Sequence, residues 1–154
     1  MCSQGSHGGE RSRPMRFWDS SAIVPLLVNE EASESVSKVL RADEDVIVWW
    51  GTRVECLSAL SRRSREATLA GDTIQSAKAL LAGLAAGWSE VLPIEPVRQR
   101  AERLLSIHSL RAADALQLAA ALVWAEESPE GLDLVCLDEN LRAAASKEGF
   151  TLLP

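Results

Sequence analysis

The stretch Met15-Arg-Phe-Trp-Asp-Ser-Ser-Ala-Ile-Val-Pro-Leu-Leu27 decides the fold class of this chain. A short apolar run ends in Asp19, two serines follow, and a second apolar run begins. This order predicts a buried strand, a carboxylate at its carboxyl end, and a helix over residues 20–28 that is capped by Ser20 or Ser21. Ligands of open α/β sheets bind outside the carboxyl ends of the strands, so we expect Asp19 where chemistry takes place. The alternative is that Asp19 only caps the helix, because Asp is a favoured cap residue.

Beyond residue 28, strand-like and helix-like segments alternate along the chain. β-Branched and aromatic runs predict four further strands, at residues 46–50, 91–94, 132–137 and 150–153. Helical spacing of apolar residues predicts helices over residues 29–40, 52–66, 70–87, 96–107, 110–126 and 138–147. Pro93 favours an edge position for the strand that contains it. The alternation predicts an α/β fold in three layers, with a central, mainly parallel sheet of about five strands flanked by helices.

Length and composition indicate a single soluble domain. The chain has 154 residues, of which 47% are hydrophobic, an ordinary value for a globular protein. No apolar run reaches the roughly 18 residues of a membrane span. Residues 1–14 are polar and lack the apolar segment of a signal peptide, so we expect a disordered leader or a mis-assigned start, followed by one domain over residues 15–154. Three cysteines without a CxxC pair indicate a reduced, cytoplasmic protein.

The charge of the chain restricts how it could bind nucleic acid. A net charge of −6 argues against a protein that holds nucleic acid by bulk attraction. A nucleic-acid enzyme remains possible, because a carboxylate site contributes negative charges that bound metal ions offset. Basic residues form two clusters, Arg62, Arg63 and Arg65 and then Arg98, Arg100 and Arg103, and Arg111 precedes the helix that carries Asp114. A solvated surface and contact with phosphates both explain these clusters.

Four acids occur at or near strand-to-helix transitions or early in an apolar helix, namely Asp19, Glu55, Asp114 and Asp138. Local structure offers alternative roles for them. Thr52 and Glu55 fit a capping box, and Asp138 fits a cap for the helix that follows it. Asp114 lies in an apolar helix, where we expect it to be buried. It therefore needs a partner, which could be a salt bridge to Arg111 or another arginine, a hydrogen bond, or a metal ion.

Carboxylates that share a pocket repel each other, and a hard divalent cation removes the conflict. Mg²⁺ takes oxygen ligands, keeps several waters and commonly uses one or two protein carboxylates. Such an ion can orient a phosphodiester and activate a water. No zinc or nucleophilic-triad pattern competes, because the two histidines are His7, in the leader, and His108, which we expect at the surface at a helix end. The glycines form no phosphate-cradling loop.

Five short motifs resemble those of the PIN domain, and more narrowly those of VapC-type toxin ribonucleases of toxin–antitoxin pairs. The motifs are Trp18-Asp-Ser-Ser-Ala-Ile23, Thr52-Arg-Val-Glu-Cys-Leu-Ser-Ala-Leu60, Leu110-Arg-Ala-Ala-Asp-Ala-Leu-Gln-Leu-Ala119, Cys136-Leu-Asp-Glu-Asn-Leu141 and Glu148-Gly-Phe-Thr-Leu-Leu153. Their order and spacing extend the resemblance over residues 17–153, nearly the whole chain after the leader.

The resemblance implies a PIN-like fold and an endoribonuclease that hydrolyses RNA phosphodiester bonds with Mg²⁺, or alternatively Mn²⁺. It implies four catalytic acids, which are Asp19, Glu55, Asp114 and Asp138. Of these, Asp19 and Asp114 match the acids that hold the metal, and Ser20 matches a residue that supports the site. The match is loosest at Asp138, because the adjacent Glu139 and Asn140 could take over part of its role.

The resemblance also implies partners: an RNA substrate, a cognate antitoxin and a second copy of the chain in a homodimer. Antitoxins of this family commonly place a basic residue near the acidic pocket, so the helices over residues 32–40 and 54–67 are candidates for the antitoxin groove. Two alternatives stay open at this point. One is a PIN-fold nuclease without a toxin role or with DNA as its substrate, and the other is a non-catalytic interaction domain.

Overall fold

A parallel β-sheet occupies the centre of the molecule. The computed structural model describes residues 15–43 and 45–154, and the expectation for residues 1–14 concerns residues outside these ranges. In the described part, the strands are β1 (Arg16–Trp18), β2 (Val46–Trp49), β3 (Ser89–Val91), β4 (Asp133–Val135) and β5 (Thr151–Leu153). Every pairing is parallel, and the strand order is β3-β2-β1-β4-β5. The predicted α/β fold with a parallel sheet of five strands is therefore confirmed.

Helices cover both faces of the sheet. They are α1 (Ser20–Leu27), α2 (Ser33–Ala42), α3 (Thr52–Arg65), α4 (Gly71–Gly87), α5 (Glu95–Ile107), α6 (Ala112–Trp124) and α7 (Glu139–Glu148). Phe17 packs with α5, α6 and α7, whereas its neighbour Trp18 packs with α1 to α4. The two side chains separate because successive residues of a strand point to opposite faces. This alternation divides the core into two apolar layers and gives the three-layer arrangement that we predicted.

The order of the strands creates a crevice between β1 and β4. The chain moves from β1 outward to β2 and β3, then crosses back through α5 and α6 to β4 on the other side of β1. The backbone amide of Asp19 donates to the carbonyl of Val135 over 3.0 Å, so the carboxyl ends of the two strands are joined directly. The connections that leave these strands run in opposite directions, which is the place where open α/β sheets bind ligands.

Several element boundaries differ from the sequence prediction. The strand predicted at residues 91–94 is β3, which begins at Ser89 and ends at Val91, so Pro93 lies after the strand. The predicted edge position of this strand is confirmed. The helix predicted from residue 29 begins at Ser33.

Gly149 adopts a positive φ of 113° at the end of α7, as expected of a C-cap glycine. Within the described residues, no helix has both the length and the apolar character needed to cross a membrane.

Candidate active site

An open cleft of about 1110 Å³ lies at the crevice between β1 and β4. All four acids singled out in the sequence line it, and they are Asp19, Glu55, Asp114 and Asp138. Each one belongs to the start of a different helix: two are N-cap residues, of α1 and α7, and two lie in the first turns of α3 and α6. Helix N-termini carry partial positive charge, which favours carboxylates at these positions. The fold thus brings acids that are far apart in the sequence into one cleft.

Asp19 is the most deeply buried of these acids, with 3% of its surface exposed. Its Oδ2 accepts hydrogen bonds from the backbone N–H of Ser21 at 3.1 Å and from the Ser21 hydroxyl at 2.5 Å. The predicted cap, Ser20 or Ser21, is therefore wrong: Asp19 itself caps α1 because its carboxylate reaches the orphan amide of the first turn. Burial raises the pKa of Asp19 above its usual range, although the bonds from Ser21 oppose the shift.

The two serines after Asp19 serve different parts of the cleft. The Ser21 hydroxyl oxygen accepts from the backbone N–H of Leu137 at 2.9 Å and from that of Asp138 at 3.3 Å. It therefore ties the turn after β1 to the turn after β4. Ser20, which the resemblance singled out, lines the cleft, and its hydroxyl is near enough to Glu55 to lower the pKa of that acid. The sequence suggested Ser21 only as a helix cap, and its link to the turn after β4 has no local signal.

Glu55 lies in the first turn of α3, but the predicted capping box does not form. The N-cap is Gly51, with no side-chain cap bond, and the Thr52 hydroxyl accepts instead from the Gln117 amide at 3.0 Å. The same Gln117 nitrogen donates to the Glu55 carboxylate. Burial raises the pKa of Glu55 to about 7, and the nearby charges of Asp19 and Asp114 add to the rise. Glu55 therefore makes no capping hydrogen bond, and its side chain lines the cleft.

Asp114 is only partly buried, so the predicted burial of this acid is wrong. The later turns of α6 enter the core, but the first turn, which carries Asp114, faces the cleft. Desolvation raises the pKa of Asp114, and the negative charges of Asp138 and Asp19 raise it further. The guanidinium of Arg111 lowers it in part, yet these two side chains form no salt bridge with each other.

Asp138 caps α7 and also lines the cleft. Its Oδ1 accepts from the backbone N–H of Leu141 at 2.8 Å, so the predicted alternative of a cap is confirmed. The cap leaves the charge of Asp138 close enough to Asp114 to raise the pKa of that acid. Of the two neighbours considered as substitutes for Asp138, Asn140 lines the cleft.

The acids form an oxygen-rich wall rather than a tight cluster. In residues 15–43 and 45–154, no three Asp, Glu, His or Cys side chains lie close enough together to form a ready-made metal site. Desolvation nevertheless raises the pKa values of Asp19, Glu55 and Asp114, and the neighbouring acids add to the rise for Glu55 and Asp114. A hard cation that keeps several of its waters and uses one or two protein carboxylates fits such a wall.

The basic clusters divide between the cleft and the outer surface. Arg62, Arg63 and Arg111 line the cleft, and Arg63 forms a salt bridge with Glu30. The cluster on α5 is instead occupied in part by surface salt bridges, from Arg98 to Glu95 and from Arg100 to Glu127. The solvated-surface explanation therefore fits Arg98 and Arg100 of α5, and phosphate contact stays a prediction for the arginines of the cleft.

The sequence predicted a surface position for His108, and this prediction is wrong. Its side chain is 7% exposed, and its Nε2 lies 2.7 Å from the Glu148 carboxylate, so it joins the ends of α5 and α7 beside the cleft. The helical position predicted from the sequence is correct, because His108 is the C-cap of α5. The contact with Glu148 spans forty residues and has no local signal.

Comparison with known proteins identifies the family of this fold. A family model described as PIN domain matches residues 16–147. The chain belongs to the PIN domain family. This PIN domain is also similar to two curated proteins of Mycobacterium tuberculosis, Ribonuclease VapC45 (strain CDC 1551 / Oshkosh) and Ribonuclease VapC49 (strain ATCC 25618 / H37Rv). Each is 28% identical over 144 residues, which cover 92% of this chain and 96% of the relative. The predicted resemblance to PIN domains and VapC-type ribonucleases is confirmed.

Solved structures resemble this PIN domain over nearly its whole length. FitAcB from Neisseria gonorrhoeae superposes with a TM-score of 0.64 at 19% identity, covering 91% of this chain and 97% of the other. Mycobacterium tuberculosis VapC20, a sarcin-ricin loop cleaving toxin, gives a TM-score of 0.62 at 20% identity, covering 90% and 98%. These likenesses establish a shared fold.

Proposed function

We propose that this PIN domain is a divalent-cation-dependent endoribonuclease and the toxin of a toxin–antitoxin pair. The observation that carries the proposal is that four acids line one cleft at the crevice between β1 and β4, namely Asp19, Glu55, Asp114 and Asp138. The similarity to proteins named ribonuclease VapC supports RNA as the substrate. Arg62 and Arg111, at the same cleft, are suited to contact the phosphates of the strand being cleaved.

Within this proposal, Asp19 and Asp114 hold Mg²⁺ or Mn²⁺. When bound, the ion supplies neutralisation of negative charge on the phosphate and activation of water. The protein side chains have complementary tasks. The Ser21 bonds keep the Asp19 carboxylate in one orientation, and Ser20 supports the site through Glu55. Glu55, with a pKa raised to about 7, is suited to accept a proton from an attacking water near neutral pH.

Asp138 has a supporting role in the proposed chemistry. Its carboxylate is oriented by the Leu141 amide, and its charge acts on Asp114. Asp138 thereby increases the negative potential of the cleft, which favours binding of a cation between the acids. The four acids together constitute the proposed catalytic set.

The antitoxin groove is proposed along α3 rather than α2. Val54, Ser58 and Arg62 of α3 line the cleft, whereas no residue of the 32–40 segment does. An antitoxin segment lying on α3 would reach Glu55, and a basic side chain from it would offset the charges of the acids. The proposal includes a homodimer, as the resemblance implies.

The purified protein tests the proposal directly. We expect it to cleave single-stranded RNA in Mg²⁺, to lose this activity in excess chelator, and to recover it when Mg²⁺ is restored. Matched DNA of the same sequence is the control for substrate class. Cleavage of DNA alone would assign the alternative of a DNA-directed PIN nuclease, and inert protein that still binds Mg²⁺ would assign the non-catalytic alternative.

The toxin role has its own test. Expression should arrest growth, and co-expression of the adjacent small reading frame should relieve the arrest. RNA cleavage without growth arrest would leave a PIN-fold ribonuclease and remove the toxin role from the proposal.

A further inference from the structure

Gln117 is a buried polar residue in an otherwise apolar helix. It lies on α6, three residues after Asp114, and 1% of its surface is exposed. Its neighbours on the helix, from Leu118 to Leu122, belong to the apolar core. A buried amide is costly unless its polar atoms find partners. Its presence here requires a reason that packing does not supply.

The hydrogen bonds of Gln117 are directed to a single turn of α3. Its Nε2 donates to the Thr52 hydroxyl at 3.0 Å and to the Glu55 carboxylate. Both N–H donors of the amide are therefore used, and they span the turn that carries Glu55. The Oε1 of Gln117 is buried without a partner. The orientation of the amide is thus determined by what its nitrogen contacts, because the flipped amide would place Oε1 against a carboxylate oxygen.

A neutral donor has a specific consequence at this position. An arginine or lysine would orient Glu55 too, but its charge would neutralise the carboxylate and oppose a cation in the cleft. The glutamine amide fixes one carboxylate oxygen and adds no charge. Gln117 does not contact the other oxygen, and Glu55 lines the cleft beside Ser20.

From this geometry we infer that Gln117 is a positioning residue for Glu55, which holds the carboxylate toward the cleft in the orientation that the reaction requires. The inference rests on the proposed function for its catalytic readout, while the orientation of Glu55 can be measured without it. Gln117 itself does not touch the reacting atoms. Its effect passes entirely through Glu55.

The test compares the full-length protein with Gln117→Met, which removes both donors but keeps an unbranched side chain of similar length. The matched control is Gln75→Met, at an exposed position of α4. We expect kcat for RNA cleavage to fall by about 10- to 100-fold in Gln117→Met, by analogy with the loss found when a residue that orients a metal ligand is removed. The KM should not change, and Gln75→Met should behave as the wild type. A wild-type kcat in folded Gln117→Met would overturn the inference.

A double variant separates positioning from a general structural defect. Because Gln117 acts through Glu55, adding Gln117→Met to Glu55→Gln should cause no further loss of kcat. Losses that multiply in full would show that Gln117 acts elsewhere and would contradict the inference. If Gln117→Met does not fold, the isosteric Gln117→Glu replaces it, with the same expected fall in kcat because two carboxylates then repel each other.

A structural readout distinguishes failure of the inference from failure of the proposed function. If the wild type cleaves no RNA, the proposed function fails and kcat is uninformative. The crystal structure of Gln117→Met then decides. A Glu55 carboxylate that leaves its wild-type position supports the inference, and one that keeps this position overturns it.

Discussion

The environment of the Glu55 side chain in the cleft favours the protonated form of its carboxyl group. Burial is the main cause, and the charges of Asp19 and Asp114 act in the same direction, so the pKa rises from 4.5 to about 7. The hydrogen bond from Gln117 opposes this rise without cancelling it. In the absence of a cation, ionising Glu55 therefore costs free energy in the folded protein that it does not cost in the unfolded chain.

This cost predicts a pH dependence of stability in the metal-free protein. Between pH 4.5 and about 7 the folded state binds more protons than the unfolded state, so the free energy of unfolding should fall as the pH rises. For this partly exposed group we expect a loss on the order of 1 to 2 kcal/mol. Urea unfolding in chelator at a series of pH values measures it.

Two variants assign this slope to its group. Glu55→Gln should flatten part of the profile, because the uncharged amide does not titrate. Glu102→Gln, at an exposed position of α5, should keep the wild-type profile. An unchanged slope in Glu55→Gln would show that the pKa of Glu55 is not raised.

The sequence allowed prediction of the acids but not of the residues that orient them. Asp19 directly follows β1, and Asp138 follows the apolar run that predicted β4, so this local pattern is readable. Gln117 had one signal, a polar residue on the same face as Asp114 in an apolar helix, but its partners on α3 are more than sixty residues away. The exposure of Asp114 was wrongly predicted because the composition of a whole helix does not indicate which turn meets a cleft.

At the scale of secondary structure, the start of α7 combines two roles in one side chain. Asp138 caps the helix through Leu141 and presents its charge to Asp114. Asn and Asp are equally good N-caps, whereas Ala loses the cap. Substitution at this position can therefore separate the charge from the cap.

We expect Asp138→Asn to keep the stability of the wild type within a few tenths of a kcal/mol, and Asp138→Ala to lose about 1 kcal/mol. If the charge serves the site, both variants should lose RNA cleavage to a similar extent. Thermal unfolding and cleavage rates in Mg²⁺ measure the two effects separately. Wild-type cleavage by Asp138→Asn would mean that this residue only caps α7.

At the scale of the whole molecule, the active cleft depends on strand order. β1 and β4 are adjacent although more than one hundred residues separate them, and the bond from Asp19 to Val135 joins their ends. Alternating strands and helices predicted a parallel sheet, but several strand orders satisfy the same alternation. The order, like the contact of His108 with Glu148, is decided by tertiary packing.

The net charge of the whole molecule does not show how charges are distributed at the cleft. The net charge of −6 argues against binding RNA by bulk attraction, yet Arg62, Arg63 and Arg111 line the cleft. Acids and arginines at one cleft suit a substrate whose phosphates need both cationic contacts and a metal ion. Nothing in the sequence separates the arginines of the cleft from those of α5.

The central claim is that acids gathered from four helices act together to cleave RNA with a divalent cation. Single-turnover cleavage of RNA in Mg²⁺ by Asp114→Asn, beside the exposed control Asp72→Asn on α4, tests it most directly. We predict a fall in rate on the order of 100-fold or more for Asp114→Asn, as when a charge-stabilising group is removed from a reaction site. Asp72→Asn should cleave at the wild-type rate. Cleavage by folded Asp114→Asn at the rate of the control would contradict the claim.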